Sequence, residues 1–544
     1  MSKSRRNNFL VQGSILAAAS IISRLIGLIY RIPMTNIIGD EGIGYYNVAY
    51  SIYNIALILS SYSLPLAVSR LVAAKCVNKE YKSSYRIFKG ALIFGAASGL
   101  LMALVIFFGA DFFAVTFFES PKSALPLRVL SPTIFLCAIM GVIRGYFQGK
   151  KTMIPTSVSQ IVEQIINAIV SVIAAYSLMM AHSASADIAS YGAAGGTLGT
   201  TCGAIAGFLF LLFVFVLNKP LINKQIKRDK TSSDDSNMDI FKLIFFTSFP
   251  IVLSQTVYQI SGIIDNGIFG KIMAVKGFTE EARNSLLGIY SGKYLLLTNV
   301  PVAVASALGA SMVPAIVAAK EKGYIYQIRH KLAATIKFNM LIAIPSAVGL
   351  AVFAPYIMKM LFSSASMEST KIASNLMMIG AVAVVLYTLS TITNSALQGI
   401  GKMNIPVIHS SISLGIHVVV VIIMLLCDMG VYALVAGNII FPLVVTILNG
   451  ISMKKEISYE QEVYKTFIIP FLSAAIMGII SILSYQVLYK LTTSNSVSCI
   501  IGMGVAVIVY FISLVLLKGV TEEELCRLPK GFMVVKFLRK LRLI

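Results

Sequence analysis

The sequence predicts an all-α polytopic membrane protein with about fourteen transmembrane helices. Of its 544 residues, 57% are hydrophobic and 12% are charged, which is too little charge to cover the surface of a soluble protein of this size. Apolar runs of about 20 residues, the length that crosses a bilayer, recur along the whole chain. Between these runs the basic residues fall mainly in alternate loops, as they do in proteins oriented by a membrane.

Fourteen helices are predicted where apolar runs are bounded by polar breaks. The basic start "MSKSRRNN" leads into an apolar segment long enough to span, and no small-residue cleavage site follows it, so we expect this segment to remain as the first helix. The predicted helix centres lie near residues 22, 60, 98, 136, 168, 205, 255, 302, 340, 383, 416, 441, 476 and 507.

The distribution of charge predicts the orientation in the membrane. An even number of spans places both termini on one side. Alternate segments, beginning with the N-terminal tail, hold 33 of the 45 Lys and Arg residues, and the opposite segments hold eight. Because basic loops stay in the cytoplasm, both termini are predicted to be cytoplasmic. The net charge of +22 is therefore an orientation signal, and nucleic-acid binding is not predicted.

Two stretches of the first half recur in the second half. "QGKKTMIP" (148–155) parallels "QGIGKMNIP" (398–406), and "GYYNVAYSIYN" (44–54) parallels "GIYSGKYLLLT" (288–298). Such order predicts two six-helix lobes of the same orientation around a central cavity, and parallel repeats of this kind transport by alternating access. The predicted divisions are an N-terminal lobe (1–217), a cytoplasmic linker (218–240), a C-terminal lobe (241–453), two further helices (454–518) and a basic amphipathic cytoplasmic tail (519–544).

Two arginines lie inside the first predicted helix, in the stretch "SRLIGLIYR" (23–31). Arg24 is roughly 22 Å into a hydrocarbon layer about 30 Å thick, where an unpaired charge costs several kcal/mol unless it faces water or a partner. Arg24 and Arg31 are two helical turns apart, so both point to the same side. Arg31 could also extend to the outer headgroups, and Arg24 could form a structural bridge to Glu163 or Asp265.

Polar residues also follow one side of several later helices. The fifth helix carries Glu163, the seventh carries Gln255, Gln259, Asp265 and Asn266, and the eighth carries Lys293. A helix that is polar on one side can line a hydrated cavity, although a single Gln or Asn more often makes a hydrogen bond between helices.

The predicted cavity therefore has a modest cationic excess. It holds Arg24, Arg31 and Lys293 against two acids, and the planar fork of arginine suits phosphate and carboxylate oxygens, so an anionic cargo is expected. The acids Glu163 and Asp265 are candidates for coupling to sodium or protons, and the membrane potential is a third possible driving force.

No catalytic or metal site is predicted. The six cysteines and four histidines form no cluster with metal-ligand or redox spacing, so neither a metal nor a bound cofactor is expected. A polytopic glycosyltransferase or ligase would need paired carboxylates or a histidine on a sizeable loop at the membrane face, and the acids of the predicted outer loops are widely spread. A drug or cation antiporter would hold a buried acidic site with few basic residues.

Three stretches resemble a known family. "SRLIGLIYRIPMTNIIGDEGIGYYNVAY", "PLAVSRLVA" and "RGYFQGKKTMIPTSVSQIVEQ" are similar to MurJ/SpoVB-type flippases of the multidrug/oligosaccharidyl-lipid/polysaccharide exporter superfamily, closest to the branch of Gram-positive, often spore-forming bacteria. The resemblance implies a multi-pass protein of the bacterial cell membrane. It would move lipid II, or a related polyprenyl-pyrophosphate-linked saccharide, from the inner to the outer leaflet, with membrane lipids and cell-wall synthesis machinery as partners.

The resemblance also implies roles for individual residues. The arginines of the family's first helix line its cavity, and Arg24 and Arg31 stand in the matching context; Lys293 resembles a basic position of the eighth helix. The family's further arginine in the second helix has no clear equivalent, because this chain is uncharged there until Arg70, near the inner end.

Overall fold

The computed structural model describes the backbone of residues 3–229 and 237–522, with residues 532 and 539. Within these ranges, the side chains of residues 3–14, 17, 237–240, 245 and 247–259 lie outside the description. The α-helices are α1 (Lys3–Ser60), α2 (Leu64–Val77), α3 (Tyr81–Phe118), α4 (Ala124–Gly149), α5 (Ile154–Ala181), α6 (Ile188–Arg228), α7 (Asn237–Val275), α8 (Glu280–Ile289), α9 (Leu296–Glu321), α10 (Ile325–Val352), α11 (Ala354–Leu361), α12 (Met367–Gly380), α13 (Val382–Gly399), α14 (Asn404–Leu426), α15 (Tyr432–Ile457), α16 (Ile469–Thr492) and α17 (Asn495–Leu516).

The predicted all-α membrane architecture is confirmed. Every predicted helix centre falls within a helix, and the described residues contain 11 helices long and apolar enough to cross a membrane, or up to 12 if one bent pair is a single span. This number is lower than fourteen for two reasons. Residues 18–77 form one continuous candidate that covers two predicted helices, and the predicted seventh helix is centred where side chains are not described.

Contacts divide the chain into two compact units, residues 1–292 and 293–544. The first unit contains α1–α8. One of its apolar cores lies between α1, α5 and α6 and includes Met34 and Tyr46, and another lies between α2, α3, α4 and α6 and includes Phe88 and Tyr146. Helix α3 exposes large apolar side chains such as Phe108, which is 77% accessible, as expected of a surface that faces lipid.

Glycines allow helices of the first unit to touch through their backbones. A Cβ atom on Gly199 of α6 would lie 2.1 Å from Ser171 Oγ of α5, and one on Gly195 or Gly203 would lie 2.5 Å from backbone atoms of α5. These glycines, spaced four residues apart, therefore let α6 pack closely against α5.

Helix α1 changes direction at Gly39, whose φ of 72° suits a residue without a Cβ atom. After this kink, α1 crosses α8 at very short range. A Cβ atom on Gly288 would lie 1.7 Å from Asp40 O, and one on Gly44 would lie 2.0 Å from Asn284 O. Both neighbours are backbone atoms, so this crossing tolerates no side chain at either glycine.

Much of the segment predicted as a linker (218–240) is helical. Helix α6 continues to Arg228, and α7 begins at Asn237. The extension of α6 is held by polar contacts: Lys150 Nζ donates to Gln225 Oε1 at 3.0 Å, and Asp229 Oδ2 accepts from the backbone N–H of Lys82 at 2.7 Å. Burial in this contact lowers the pKa of Lys150. Residues 230–236 and most of the predicted tail (519–544) lie outside the described residues.

The second unit contains α9–α17 and is described separately. One of its apolar cores joins α9, α10, α13, α15, α16 and α17. One candidate span is broken, because α12 and α13 meet at an angle of 48° around residue 381. The hydroxyl of Tyr294 lies 3.1 Å from Gly380 O and 2.9 Å from Asn438 Oδ1, so its proton can satisfy the carbonyl at this break.

Candidate functional site

Arg24 is exposed in the structure although it lies in the middle of an apolar span. Among the described residues it has no hydrogen bond and no ion pair, and its neighbours Ile21, Ile22 and Leu25 are exposed too. One turn later, Gly27 lies beside α5, with Gln164 Oε1 3.8 Å from the place of a Cβ atom. Within the part of the chain that the structure describes, Arg24 is therefore a cation without a partner, one helical turn from the contact of Gly27 with α5.

Arg31 has a different environment. It is half-buried, and its guanidinium carbon lies 5.6 Å from the centre of the Tyr46 ring, a cation–π arrangement. Tyr46 contacts Tyr50 with ring centroids 4.4 Å apart, and the Tyr50 hydroxyl is hydrogen-bonded to Thr200 Oγ1 of α6. The Tyr30 side chain also hydrogen-bonds the guanidinium. These contacts fix its orientation, and its remaining N–H donors can bind an anion.

The tyrosine cluster continues to α5 through Asn167. Asn167 Nδ2 donates to the Tyr30 hydroxyl at 3.4 Å, and Asn167 Oδ1 accepts from Ser171 Oγ at 2.8 Å. Asn167 therefore makes hydrogen bonds between helices, the role that a single Gln or Asn in a membrane helix more often has.

This tyrosine cluster was not predicted as part of the site. A signal was present, because Tyr46 and Tyr50 are one helical turn apart and both recur in the second half as Tyr290 and Tyr294. In the second unit, Tyr294 likewise hydrogen-bonds a polar residue of a later helix, Asn438.

Glu163 of α5 is paired with Arg144 of α4. Arg144 Nη2 lies 2.8 Å from Glu163 Oε2, Arg144 Nε donates to Ser159 Oγ at 3.0 Å, and the two charged side chains are 14% and 20% exposed. Arg144 lies within α4, which continues to Gly149. The alternative that Glu163 bridges to Arg24 is wrong, since the Glu163 carboxylate binds Arg144.

Of the four polar residues predicted on α7, the structure describes the side chains of two, and both are buried. Asn266 of α7 is buried, and its Nδ2 donates to Ser51 Oγ of α1 at 2.9 Å; Asp265 beside it is also buried. The side chains of Gln255 and Gln259 lie outside the described residues.

Lys293 belongs to the second unit and is 1% exposed. Its Nζ donates to Ser369 Oγ at 2.6 Å and lies 5.7 Å from the centre of the Phe362 ring. In this conformation the ammonium is held inside the protein, so an anion can reach it only after these contacts open. Within the described residues, no group of His, Cys, Asp and Glu side chains is arranged to hold a metal ion.

Two families of known proteins match this chain. Residues 10–320 match the family described as polysaccharide biosynthesis protein, and residues 294–423 match the MatE family. The first match covers more than half of the chain. The chain belongs to the polysaccharide biosynthesis protein family.

Similarity extends over nearly the full length of two relatives. The chain is 23% identical to stage V sporulation protein B of Bacillus subtilis (strain 168), over 96% of this chain and 98% of the relative. It is 24% identical to lipid II flippase MurJ of the same organism, over 86% of each chain. A solved structure of lipid II flippase MurJ in an inward closed conformation superposes with a TM-score of 0.67 at 16% identity, covering 92% of this chain and 97% of that one.

These matches confirm the family that the sequence resembles and the multi-pass membrane fold. The matched relatives of this polysaccharide biosynthesis family member carry names of transport and sporulation proteins, in agreement with the prediction that the chain is not an enzyme. The roles of Arg24, Arg31, Lys293 and the polar residues of α7 stay predictions.

The pair between Arg144 and Glu163 has a testable effect on the stability of this family member. Arg144→Ala leaves a partly buried carboxylate without its partner, and we expect it to destabilise the protein by about 2 kcal/mol, between the values for exposed and fully buried pairs. The double variant Arg144→Ala/Glu163→Gln should lose less than the two single variants together. Thermal unfolding of the purified protein in detergent measures both effects, and strictly additive losses would contradict the pair.

Proposed function

We propose that this protein is a flippase for a polyprenyl-pyrophosphate-linked saccharide, lipid II or a related wall or polysaccharide precursor. It moves this lipid from the inner to the outer leaflet by alternating access. Support comes from the family match and from two full-length relatives, one of which is named a lipid II flippase.

The observation that carries the proposal is the exposure of Arg24. It is an exposed guanidinium in the apolar part of α1, and within the described chain no acid neutralises it. Keeping a free charge at this depth costs several kcal/mol unless water or a ligand surrounds it. A pyrophosphate supplies the oxygens that a guanidinium binds in a bidentate manner, and Arg31, supported by Tyr46, is the second donor two turns away.

The main alternative is a drug or cation antiporter, a class to which the MatE match points. Such a protein needs an acidic site that a cation can reach. Here the carboxylate of Glu163 already binds Arg144, and Asp265 is only 6% exposed. The balance of accessible charge in the first unit therefore favours an anionic cargo. A membrane glycosyltransferase or ligase is the weaker rival, because the relatives carry no enzyme name.

The proposed orientation has both termini in the cytoplasm, from the bias of basic residues. In a cell whose interior is negative, the membrane potential then assists the outward movement of an anionic cargo, by about 2.3 kcal/mol per charge for each 100 mV. Coupling to sodium or protons through Asp265 is the other driving force in the proposal, and wall-synthesis enzymes are the proposed recipients of the cargo.

Proteoliposomes test the proposed activity. The purified chain is reconstituted with a fluorescent polyprenyl-pyrophosphate saccharide, and an impermeant reductant bleaches the label in the outer leaflet. We expect the fraction protected from bleaching to fall with time in the presence of the protein, while fluorescent phosphatidylcholine in matched vesicles stays protected. Equal rates for both lipids would indicate an unspecific scramblase, and no movement of the pyrophosphate lipid would refute the proposal.

A further inference from the structure

The second unit contains a cavity of about 520 Å³ that is separate from the residues discussed above. It lies where α11 and α12 approach the end of α16 and the start of α17. Cavities of roughly 300–1,000 Å³ hold a small molecule or the headgroup of a lipid. In the predicted topology this end of the helices faces the outside of the cell.

One wall of the cavity is a fixed aromatic surface. The ring centroids of Tyr356 and Tyr485 are 4.0 Å apart, and the Tyr489 ring stacks on Tyr485 with a centroid distance of 5.8 Å. Asn495 joins the two sides: its Oδ1 accepts from the Tyr485 hydroxyl at 2.9 Å, and its Nδ2 donates to Tyr356 O at 3.1 Å. The wall therefore has little freedom to collapse into the space beside it.

Two lysines complete the cavity. Lys359 of α11 and Lys490 of α16 are exposed, and neither has an ion pair or a hydrogen bond within the described residues. No acidic residue occurs among the side chains that line the cavity. Lysine and tyrosine commonly anchor helices at a membrane interface, but two unpaired ammonium groups on one cavity with a rigid aromatic wall form a site for an anion.

We propose that this cavity binds the phosphate of an anionic lipid headgroup. Lys359 and Lys490 contact the phosphate oxygens, and the exposed face of Tyr489 packs against the glycerol of the headgroup. We infer a lipid as the occupant because the cavity lies at the ends of the candidate spans α16 and α17, where the predicted topology places the membrane surface. This proposal does not depend on the proposed flippase function, since no residue of α1 lines the cavity.

Native mass spectrometry of the delipidated full-length protein, titrated with phosphatidylglycerol, tests the proposal. We expect Lys359→Gln/Lys490→Gln to weaken the tightest binding event by about tenfold, in line with the loss of two charge-assisted contacts. The matched control is Lys371→Gln, an exposed lysine of α12 outside the cavity, and it should bind as the unmodified protein does. Tyr489→Leu, which keeps every charge, should also weaken binding.

Two results would overturn the proposal. Equal affinity of the double lysine variant and the Lys371→Gln control would show that the phosphate binds elsewhere. Displacement of phosphatidylglycerol by millimolar inorganic phosphate would show that the site takes a soluble anion and not a headgroup. Thermal unfolding of each variant, expected to be unchanged because both lysines are exposed, excludes misfolding as the cause.

Discussion

Replacing Arg24 by alanine should reduce transport of a pyrophosphate-linked lipid at least about tenfold, because one charge-assisted hydrogen bond alone is worth about 1.5–3 kcal/mol. Folding should be unaffected, since Arg24 has no partner among the described residues whose loss would leave a buried charge. Arg24→Lys should recover only part of the rate, because an ammonium keeps the charge but not the bidentate geometry.

The measurement combines the rate of flipping in proteoliposomes with growth of cells that depend on this protein, each scaled to membrane abundance. Arg128→Ala is the matched control, because Arg128 is a surface arginine whose partner is Asp111. Its loss should leave the rate unchanged. A normal rate for Arg24→Ala at normal abundance would remove Arg24 from the binding site.

Gly288→Ala is expected to abolish the folded state or to lower its stability by about 3 kcal/mol or more. The added methyl group would lie 1.7 Å from the backbone oxygen of Asp40, which cannot rotate away as a side chain can. Helices α1 and α8 would have to separate, and their contact also includes Gly44 against Asn284 O.

Membrane abundance and the midpoint of thermal unfolding in detergent report this effect. Gly450→Ala is the control, since that helical glycine has open space around it and alanine is the better helix former by about 1 kcal/mol. We expect the control to be as stable as the unmodified protein. The same stability for Gly288→Ala would mean that the crossing of α1 and α8 is not as close as the structure shows.

Hydropathy was sufficient to locate the helices, because the lipid imposes the same requirement on every span. It was insufficient to locate their irregularities. The break between α12 and α13 occurs within an apolar run, and it depends on which backbone groups find partners in neighbouring helices. No pattern in a single segment contains that information.

The candidate site was predictable to a similar extent. Arg24 and Arg31 could be identified because their depth in the membrane follows from their position along α1 and does not require knowledge of the neighbouring helices. The partner of Glu163 does depend on them, because the choice between Arg24 and Arg144 is decided by how α4 and α1 are rotated against α5. The burial of Lys293 was equally hidden, since Ser369 lies far from it in the sequence.

The contacts of Lys293 and Tyr294 determine how the broken span can move. Lys293 hydrogen-bonds Ser369 near the start of α12, and Tyr294 hydrogen-bonds Gly380 O at its end. Two consecutive residues therefore contact both ends of one short helix. Helix α13 begins beyond the 48° bend. In any rearrangement, α12 should move together with the segment that carries Lys293 and Tyr294. The chain would then bend at the joint near residue 381.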